Sequence, residues 1–356
     1  MKQKIREFAY GLATDKLKGP LYAIFKFLLL LASFIFLIMY KMREALYKLK
    51  IFKTHAINHI KIIGIGNITW GGTGKTPFTS FLADLLVSKM NKKIAIIMRG
   101  YGEDEYMIYK KRFNDNVMLF KGKNKLKSVN EALNKGAQVA IIDDSYQYLS
   151  LKKDMEIVLL NANNPFGNGH LIPRGMLRNV PIDLKRADIA CVSKVESDQD
   201  YSTLYRVLSN IGINEEKILS FCYEIKGFYD FFSKIIHKSE LVTNKKFILV
   251  SSIADPAYFY YLVNKAGVNI IKTKEFMDHH QFDSKDVQNI INMCIENKAD
   301  GIIATEKDAV KLYRFFDLLN EKLAKQNYKI YIADISIKMI KGFDELTDRL
   351  YRLCGR

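Results

Sequence analysis

Residues 64–77, Gly-Ile-Gly-Asn-Ile-Thr-Trp-Gly-Gly-Thr-Gly-Lys-Thr-Pro, constrain this chain more than any other stretch. They follow an apolar run, Ile60–Ile65, that reads as a buried strand, and precede Phe78–Met90, which reads as an amphipathic helix. A strand, a Gly-rich turn, Lys-Thr and a helix form the layout of a phosphate-binding loop. In such a loop successive backbone N–H groups and the positive end of the helix cradle the phosphates of a nucleotide. The candidates to hold it are Thr69, Trp70, Gly71, Gly72, Thr73, Gly74, Lys75 and Thr76. Lys75 would reach the β- and γ-phosphates, and the Thr76 hydroxyl would ligate Mg²⁺. Thr69 stands where the usual G-x-x-x-x-G-K-S/T pattern has its first Gly.

Alternation of apolar runs with helical stretches continues beyond the loop. Lys93–Met98, Val117–Phe120, Val139–Ile142, Met155–Leu160 and Ile189–Ser193 read as strands. This predicts an α/β fold, a P-loop-type parallel sheet with helices on both faces. A second, smaller αβα domain is expected from Phe247–Ser251 onward. The expected division is an N-terminal anchoring segment at 1–55, a nucleotide-binding domain at 56–226, a connection at 227–246 and a second domain at 247–356. The connection is placed on an aromatic- and lysine-rich stretch of weak periodicity.

Leu21–Tyr40 is apolar apart from Lys26 and Ser33, and basic residues flank it on both sides. Such a segment either spans a bilayer or lies in its interface with Lys26 snorkelling to the headgroups. Because both flanks are basic, charge gives no orientation; we read the segment as an inserted or interfacial anchor. The formal charge of +17 points to an anionic partner. No RNA- or DNA-binding motif is visible and the basic residues are dispersed, so no nucleic acid is expected. Four dispersed cysteines without a CxxC pair argue against a zinc site or a disulfide framework.

Several polar motifs fall at strand ends, where parallel α/β sheets hold their ligands. Asp143 and Asp144 end the run Val-Ala-Ile-Ile and are candidates to hold Mg²⁺ beside Thr76. Arg99-Gly-Tyr-Gly102 follows another strand, and Arg99 could neutralise a transferring phosphoryl group. The acidic triplet Glu103-Asp104-Glu105 reads equally as a solvated turn. Asp278-His279-His280 offers a side chain suited to proton transfer, although a surface loop is the plainer reading. Residues 165–175 form a Gly/Pro-punctuated loop too particular for a linker, and Thr305-Glu-Lys-Asp308 reads as a helix cap.

Together these pieces resemble the lipid A 4′-kinases (tetraacyldisaccharide 4′-kinases). The resemblance rests on 66–77, Arg-Gly-Tyr-Gly at 99–102, Asp-Asp-x-x-Gln at 143–147 and Phe-Gly-Asn-Gly-x-Leu-Ile-Pro-x-Gly at 166–175. Ile-Ala-Asp-Pro at 253–256, Asp-His-His at 278–280 and Thr-Glu-Lys-Asp-Ala-Val-Lys at 305–311 complete it, in order across most of the chain. It implies two αβα domains and transfer of the γ-phosphate of ATP to the 4′-hydroxyl of a tetraacylated disaccharide 1-phosphate. It also implies ATP and Mg²⁺, an acylated disaccharide lipid partner, no known protein partner, and the cytoplasmic face of the bacterial inner membrane. By motif position, Asp104 pairs with His279 as the catalytic couple beside Lys75, and Arg99, Tyr101 and Glu105 face the substrate. The chain departs from the family pattern in a short segment before Asp104-Glu105, in Asp-Asp-Ser-Tyr-Gln-Tyr for Asp-Asp-Gly-Phe-Gln-His, and in Ser193-Lys194 for a usual Asn. The reading from another class is a membrane-tethered P-loop ATPase that acts on a protein or nucleic-acid partner.

Overall fold

The structure, a computed structural model, describes residues 2–100, 103–237, 242, 245–323, 325 and 327–355. Along the chain lie α1 (Lys2–Ala13), α2 (Pro20–Lys48), β1 (Lys61–Asn67), α3 (Lys75–Ser88), β2 (Ile94–Met98), α4 (Glu103–Phe113) and β3 (Val117–Lys121). Next come α5 (Lys125–Asn134), β4 (Val139–Asp143), β5 (Met155–Asn161), β6 (Ile189–Ser193), α6 (Ser202–Ile211) and β7 (Ile218–Asp230). β8 (Ile236–His237), β9 (Lys246–Ser251), α7 (Pro256–Lys265), β10 (Asn269–Glu275), α8 (Ser284–Glu296) and β11 (Gly301–Ala304) follow. α9 (Glu306–Leu312), α10 (Phe316–Lys322), β12 (Lys329–Lys341) and α11 (Phe343–Cys354) close the chain.

The chain divides into two compact units, one of residues 1–101, 113–222 and 339–356, the other of 102–112 and 223–338. In the first, parallel strands run in the order β7-β6-β5-β1-β4-β2-β3. β1 is buried after Lys61 because neighbours cover both its faces, which is why its sequence is continuously apolar rather than alternating. Its register sets Ile65 beside Asp143 of β4, so the phosphate loop and the Asp-Asp turn leave the sheet side by side. Gly66 is required there: a Cβ would lie 2.6 Å from that of Tyr146.

The second unit repeats the logic on a smaller scale, with parallel strands in the order β10-β9-β11-β12 and β8 antiparallel to the end of β7. Phe231, Ile248, Val250, Ile290 and Ile332 are among the side chains of one core cluster, and Phe228, Phe247 and Phe259 belong to another.

This division departs from the sequence-based one in three places. Among its described residues the 227–246 stretch is not a connection, since β7 runs to Asp230 and Phe228 and Phe231 are fully buried in the second unit; 238–241 and 243–244 lie outside the described residues. Phe228 and Phe231 are core, and Tyr229 and Phe232 pack against it partly buried. Residues 102–112 belong to the second unit and 339–356 to the first, where Arg349 of α11 donates to the carbonyls of Asp188 and Glu216. Finally, the N-terminal segment is no separate body. Ser33 of α2 donates to the Leu171 carbonyl at 2.8 Å, Lys41 pairs with Asp183 at 2.7 Å, and Phe36 and Leu37 pack on the core of the first unit.

Lys26 does not reach outward either. It pairs with Asp15 at 2.6 Å, and Asp15 also receives Arg174 at 2.9 Å. α2 is the one helix among the described residues long and apolar enough to cross a membrane. Its outer face, with Leu21, Ile24, Phe27, Leu31, Phe34 and Ile38, is exposed.

Candidate active site

In the first unit the phosphate loop is shaped by backbone geometry. Gly74 has φ +89° and passes directly into α3 at Lys75, a left-handed step that an L side chain would strain. The loop is braced from several directions. Asn67 donates to the Thr73 hydroxyl at 3.1 Å, and Ser193 donates to the Thr73 carbonyl at 2.9 Å. Thr69 is buried in a bridge to Leu177, and the Trp70 amide donates to the Met176 carbonyl at 2.7 Å. Met176 and Leu177, which follow the loop 165–175, therefore brace the start of the phosphate loop. Gly71 (φ +117°) and Gly72 lie on the outer side, with Trp70 half exposed against Tyr10.

Lys75 lies 3.8 Å from Asp144, whose carboxylate is gripped by both terminal nitrogens of Arg178 at 2.6 and 3.2 Å. Burial pushes Asp144 up, but the Arg178 hydrogen bonds and charge, with Lys75 and Lys125, outweigh it and hold the carboxyl well below the usual range. Asp143 is the opposite case. Fully enclosed, it is pushed up by burial, with Lys75 opposing, and one of its oxygens accepts the Asp144 N–H at 2.8 Å. Lys125 donates to the carbonyls of Asp143 and Asp144 at 2.7 and 2.6 Å and pins their turn, in which Asp144 has φ +51°. Burial brings the Lys125 ammonium down to about 8.

No group of three or more His, Cys, Asp or Glu gathers into a metal centre among the described residues. The hydroxyl of half-buried Thr76 and the Asp143 carboxylate are nonetheless oxygen donors of the kind that Mg²⁺ takes. That ion is usually held by one or two carboxylates, the rest of its shell being phosphate oxygen and water. Asp144, committed to Arg178, suits an outer position. Arg99 lies exposed at the end of β2, and its charge acts on Lys125. Tyr101 lies outside the described residues.

The second unit assembles a different site. The triplet 103–105 is not a turn but the first turn of α4, where acidic side chains complement the helix dipole, and Lys110, Lys111 and Arg112 occupy its last turn. Asp104 faces inward at 2% exposure, and neither of its oxygens has a conventional hydrogen-bond partner among the described residues. Its Oδ2 lies 3.3 Å from His279 Nδ1, 3.7 Å from Lys307 Nζ and 3.8 Å from Lys311 Nζ. Burial raises the Asp104 carboxyl, but His279, Lys307 and Lys311 outweigh it and hold the group well below the usual range. Glu105 is half-buried on the same turn, and its charge acts on Lys307.

The two adjacent histidines are separated by role. His280 stacks on Phe276 and meets Asp286 at 2.7 Å, which is a structural anchor. His279 remains 46% exposed and takes φ +60°, a left-handed conformation that costs a non-glycine residue about 1–2 kcal/mol. That strained backbone turns its ring toward Asp104. The sequence reading of Thr305 as a cap holds, since its side chain accepts the Asp308 amide. It missed that the helix so capped brings Lys307 and Lys311, four residues apart and so on one face, to Asp104. Arg178 and Lys125 were missed as well.

A sequence profile of the family described as tetraacyldisaccharide-1-P 4′-kinase matches residues 25–110 and 102–352. The tetraacyldisaccharide 4′-kinase of Halothermothrix orenii is 30% identical over 382 residues, covering 97% of each chain. That of Bdellovibrio bacteriovorus is 32% identical over 279 residues, 72% of this chain and 81% of its own. The crystal structure of an apo form of LpxK from Aquifex aeolicus, in complex with ATP, shares the fold. Its TM-score is 0.67 at 21% identity, over 92% of this chain and 99% of that one.

Proposed function

The chain belongs to the tetraacyldisaccharide-1-P 4′-kinase family, and from that premise we propose how its residues work. It transfers the γ-phosphate of ATP to the 4′-hydroxyl of a tetraacylated glucosamine disaccharide 1-phosphate in lipid A biosynthesis. The amides of 71–76 and the Lys75 ammonium hold the triphosphate. Thr76 and Asp143 would hold Mg²⁺, which when bound offsets charge on the β- and γ-phosphate oxygens. Arg178 fixes Asp144 and leaves Lys75 to the nucleotide. Arg99 adds positive charge at the end of β2, and Tyr101 and Glu105 contact the sugar.

Asp104 takes the 4′-hydroxyl proton and passes it to His279, whose Nδ1 lies 3.3 Å away. The oxygen then attacks the γ-phosphorus as its bond to the bridging oxygen breaks. The rest of catalysis is positioning and charge neutralisation. One observation carries this reading. A buried carboxylate meeting a histidine some 175 residues further on is what an alcohol acceptor requires, and an ATPase that moves a partner has no use for it.

We also propose that the protein works at the cytoplasmic face of the bacterial inner membrane, with α2 lying in the interface rather than crossing it. From Ser33 to Glu44 one side of α2 is engaged by the first unit. The turns before Ser33 extend for only roughly 20 Å, short of the ~30 Å hydrocarbon core. An acylated acceptor stays in the bilayer, so the enzyme must reach it there. The test is incubation of the full chain with labelled ATP and the tetraacylated disaccharide 1-phosphate in mixed micelles. Labelled lipid from the wild type and almost none from Lys75→Ala or His279→Ala is the expected result. ATP hydrolysis that leaves the lipid unlabelled would sink the proposal.

A further inference from the structure

The lysines of α9 have no place in the mechanism above, yet after His279 they are the nearest cations to Asp104 among the described residues. A carboxylate at 2% exposure with no conventional hydrogen bond to either oxygen among the described residues would revert to its neutral acid unless nearby charge replaced the water it lost. Lys307 and Lys311 project from successive turns of α9 onto the same oxygen, at 3.7 and 3.8 Å. Each is fixed from behind. Lys307 pairs with Asp278 at 3.0 Å. Lys311 is 3% exposed and donates to the Ser252 hydroxyl at 2.6 Å, and Ser252 in turn donates to Asp308.

We propose that Lys307 and Lys311 are positioning residues that keep the Asp104 carboxylate ionised and turned toward His279 in spite of its burial. The balance of charges around it supports this. Glu103 and Glu105 on α4 and Asp278 on the histidine loop oppose ionisation, Asp308 faces Lys311, and Glu306 is drawn to Lys111 at 3.9 Å. Against these stand His279 and the two lysines. His279 is 46% exposed, whereas Lys307 and Lys311 are 18% and 3% exposed, so the lysine charges are the less screened by solvent. The two are not equal: burial lowers Lys311, whereas Asp278 and Asp104 overcome burial and raise Lys307. Lys307 is therefore the firmer charge and Lys311 the more confined one.

The kinetic side of this inference rests on the proposed kinase reaction; its direct test does not. In the full chain with ¹³C-carboxyl aspartate, the Asp104 resonance is identified by its loss in Asp104→Asn and followed against pH. Replacing Lys311 or Lys307 by Met should move the Asp104 titration upward by about 1–3 pH units, with a larger shift in the double variant. Lys307→Arg, which retains the charge, should titrate as the wild type does. The acid limb of the transfer rate should move upward with the NMR titration. Should Lys311→Met fail to fold, Lys307→Met decides alone, since its side chain is partly exposed. An Asp104 titration unmoved in the Met variants overturns the proposal, and a rate lost without that shift marks the lysines as structural only. A wild type that labels no lipid overturns the kinase reading and leaves the titration to judge the lysines.

Discussion

In the first unit the groups that would grip a triphosphate lie within one short segment and are mostly main-chain amides, whereas in the second unit the carboxylate proposed to take the proton, Asp104, is surrounded by side chains from three separate stretches. Around Gly74 the geometry follows from backbone dihedrals and the start of α3, so a local sequence pattern suffices to specify it. Around Asp104 the geometry exists only because α4, the 278–280 loop and α9 are brought together. The charges differ in the same way. Asp144 is held ionised by bidentate hydrogen bonds from Arg178, while Asp104 is held by cations at salt-bridge distance without such bonds. A site made of amides tolerates side-chain changes around it; a site made of side chains has redundancy only in its charges.

The largest expected effect falls on the amide-built site, at the one position where it depends on a side chain. Lys75→Ala should lower transfer by about 10²–10³-fold and weaken ATP binding, read from kcat and from the KM for ATP. His279→Ala should cost about 100-fold, the lower end of general acid–base contributions, because Asp104 and its lysines remain. Its KM for ATP should stay unchanged, since the proposed grip on the triphosphate is assigned to residues 71–76 of the first unit. A raised KM for ATP in His279→Ala would break the separation of the two sites. Arg178→Met comes third, at about 10-fold, below the loss from removing a direct donor to the reacting group. Freed from Arg178, Asp144 would compete for Lys75, so the Mg²⁺ needed for half-maximal rate should rise. An unchanged Mg²⁺ dependence would show that the grip on Asp144 does not matter.

Legibility in the sequence followed the same line. The strand before the phosphate loop, the Lys75 helix, the parallel sheet and the Thr305 cap could all be read, because each depends on neighbours in sequence. The Asp104–His279 pair came from family resemblance, and the residues alone left it as a solvated turn and a surface loop. Lys307 and Lys311 were hidden for a further reason: Thr-Glu-Lys-Asp already had an adequate local explanation as a cap, which left nothing to account for. The aromatic richness of 227–246 misled in the reverse direction, since weak periodicity was taken for a connection where Phe228 and Phe231 are core. Lys26 was read as a residue reaching for headgroups because its partner, Asp15, lies across the turn between α1 and α2.

The smallest expected effect separates the cap of a structural helix from the cap of a functional one. Asp255 caps α7 through the Tyr258 amide, and Thr305 caps α9 through the Asp308 amide. Replacing either by Ala removes the cap bond to an otherwise unsatisfied donor and should cost about 1 kcal/mol of stability, a fall in Tm of roughly 2–4 °C. Thr305→Ala also removes a bond to the buried Asp308 carboxylate, so its Tm should fall further. α7 carries none of the residues around Asp104, so Asp255→Ala should keep the wild-type kcat at a temperature where it is fully folded. α9 carries Lys307 and Lys311, and Thr305 also bonds the Asp308 carboxylate at 2.6 Å. Thr305→Ala should therefore lower kcat several-fold even at a temperature where it, too, is fully folded. Equal rates in the two would mean that the lysines hold their places without help from the helix start, and that the side-chain site is more tolerant than its geometry suggests.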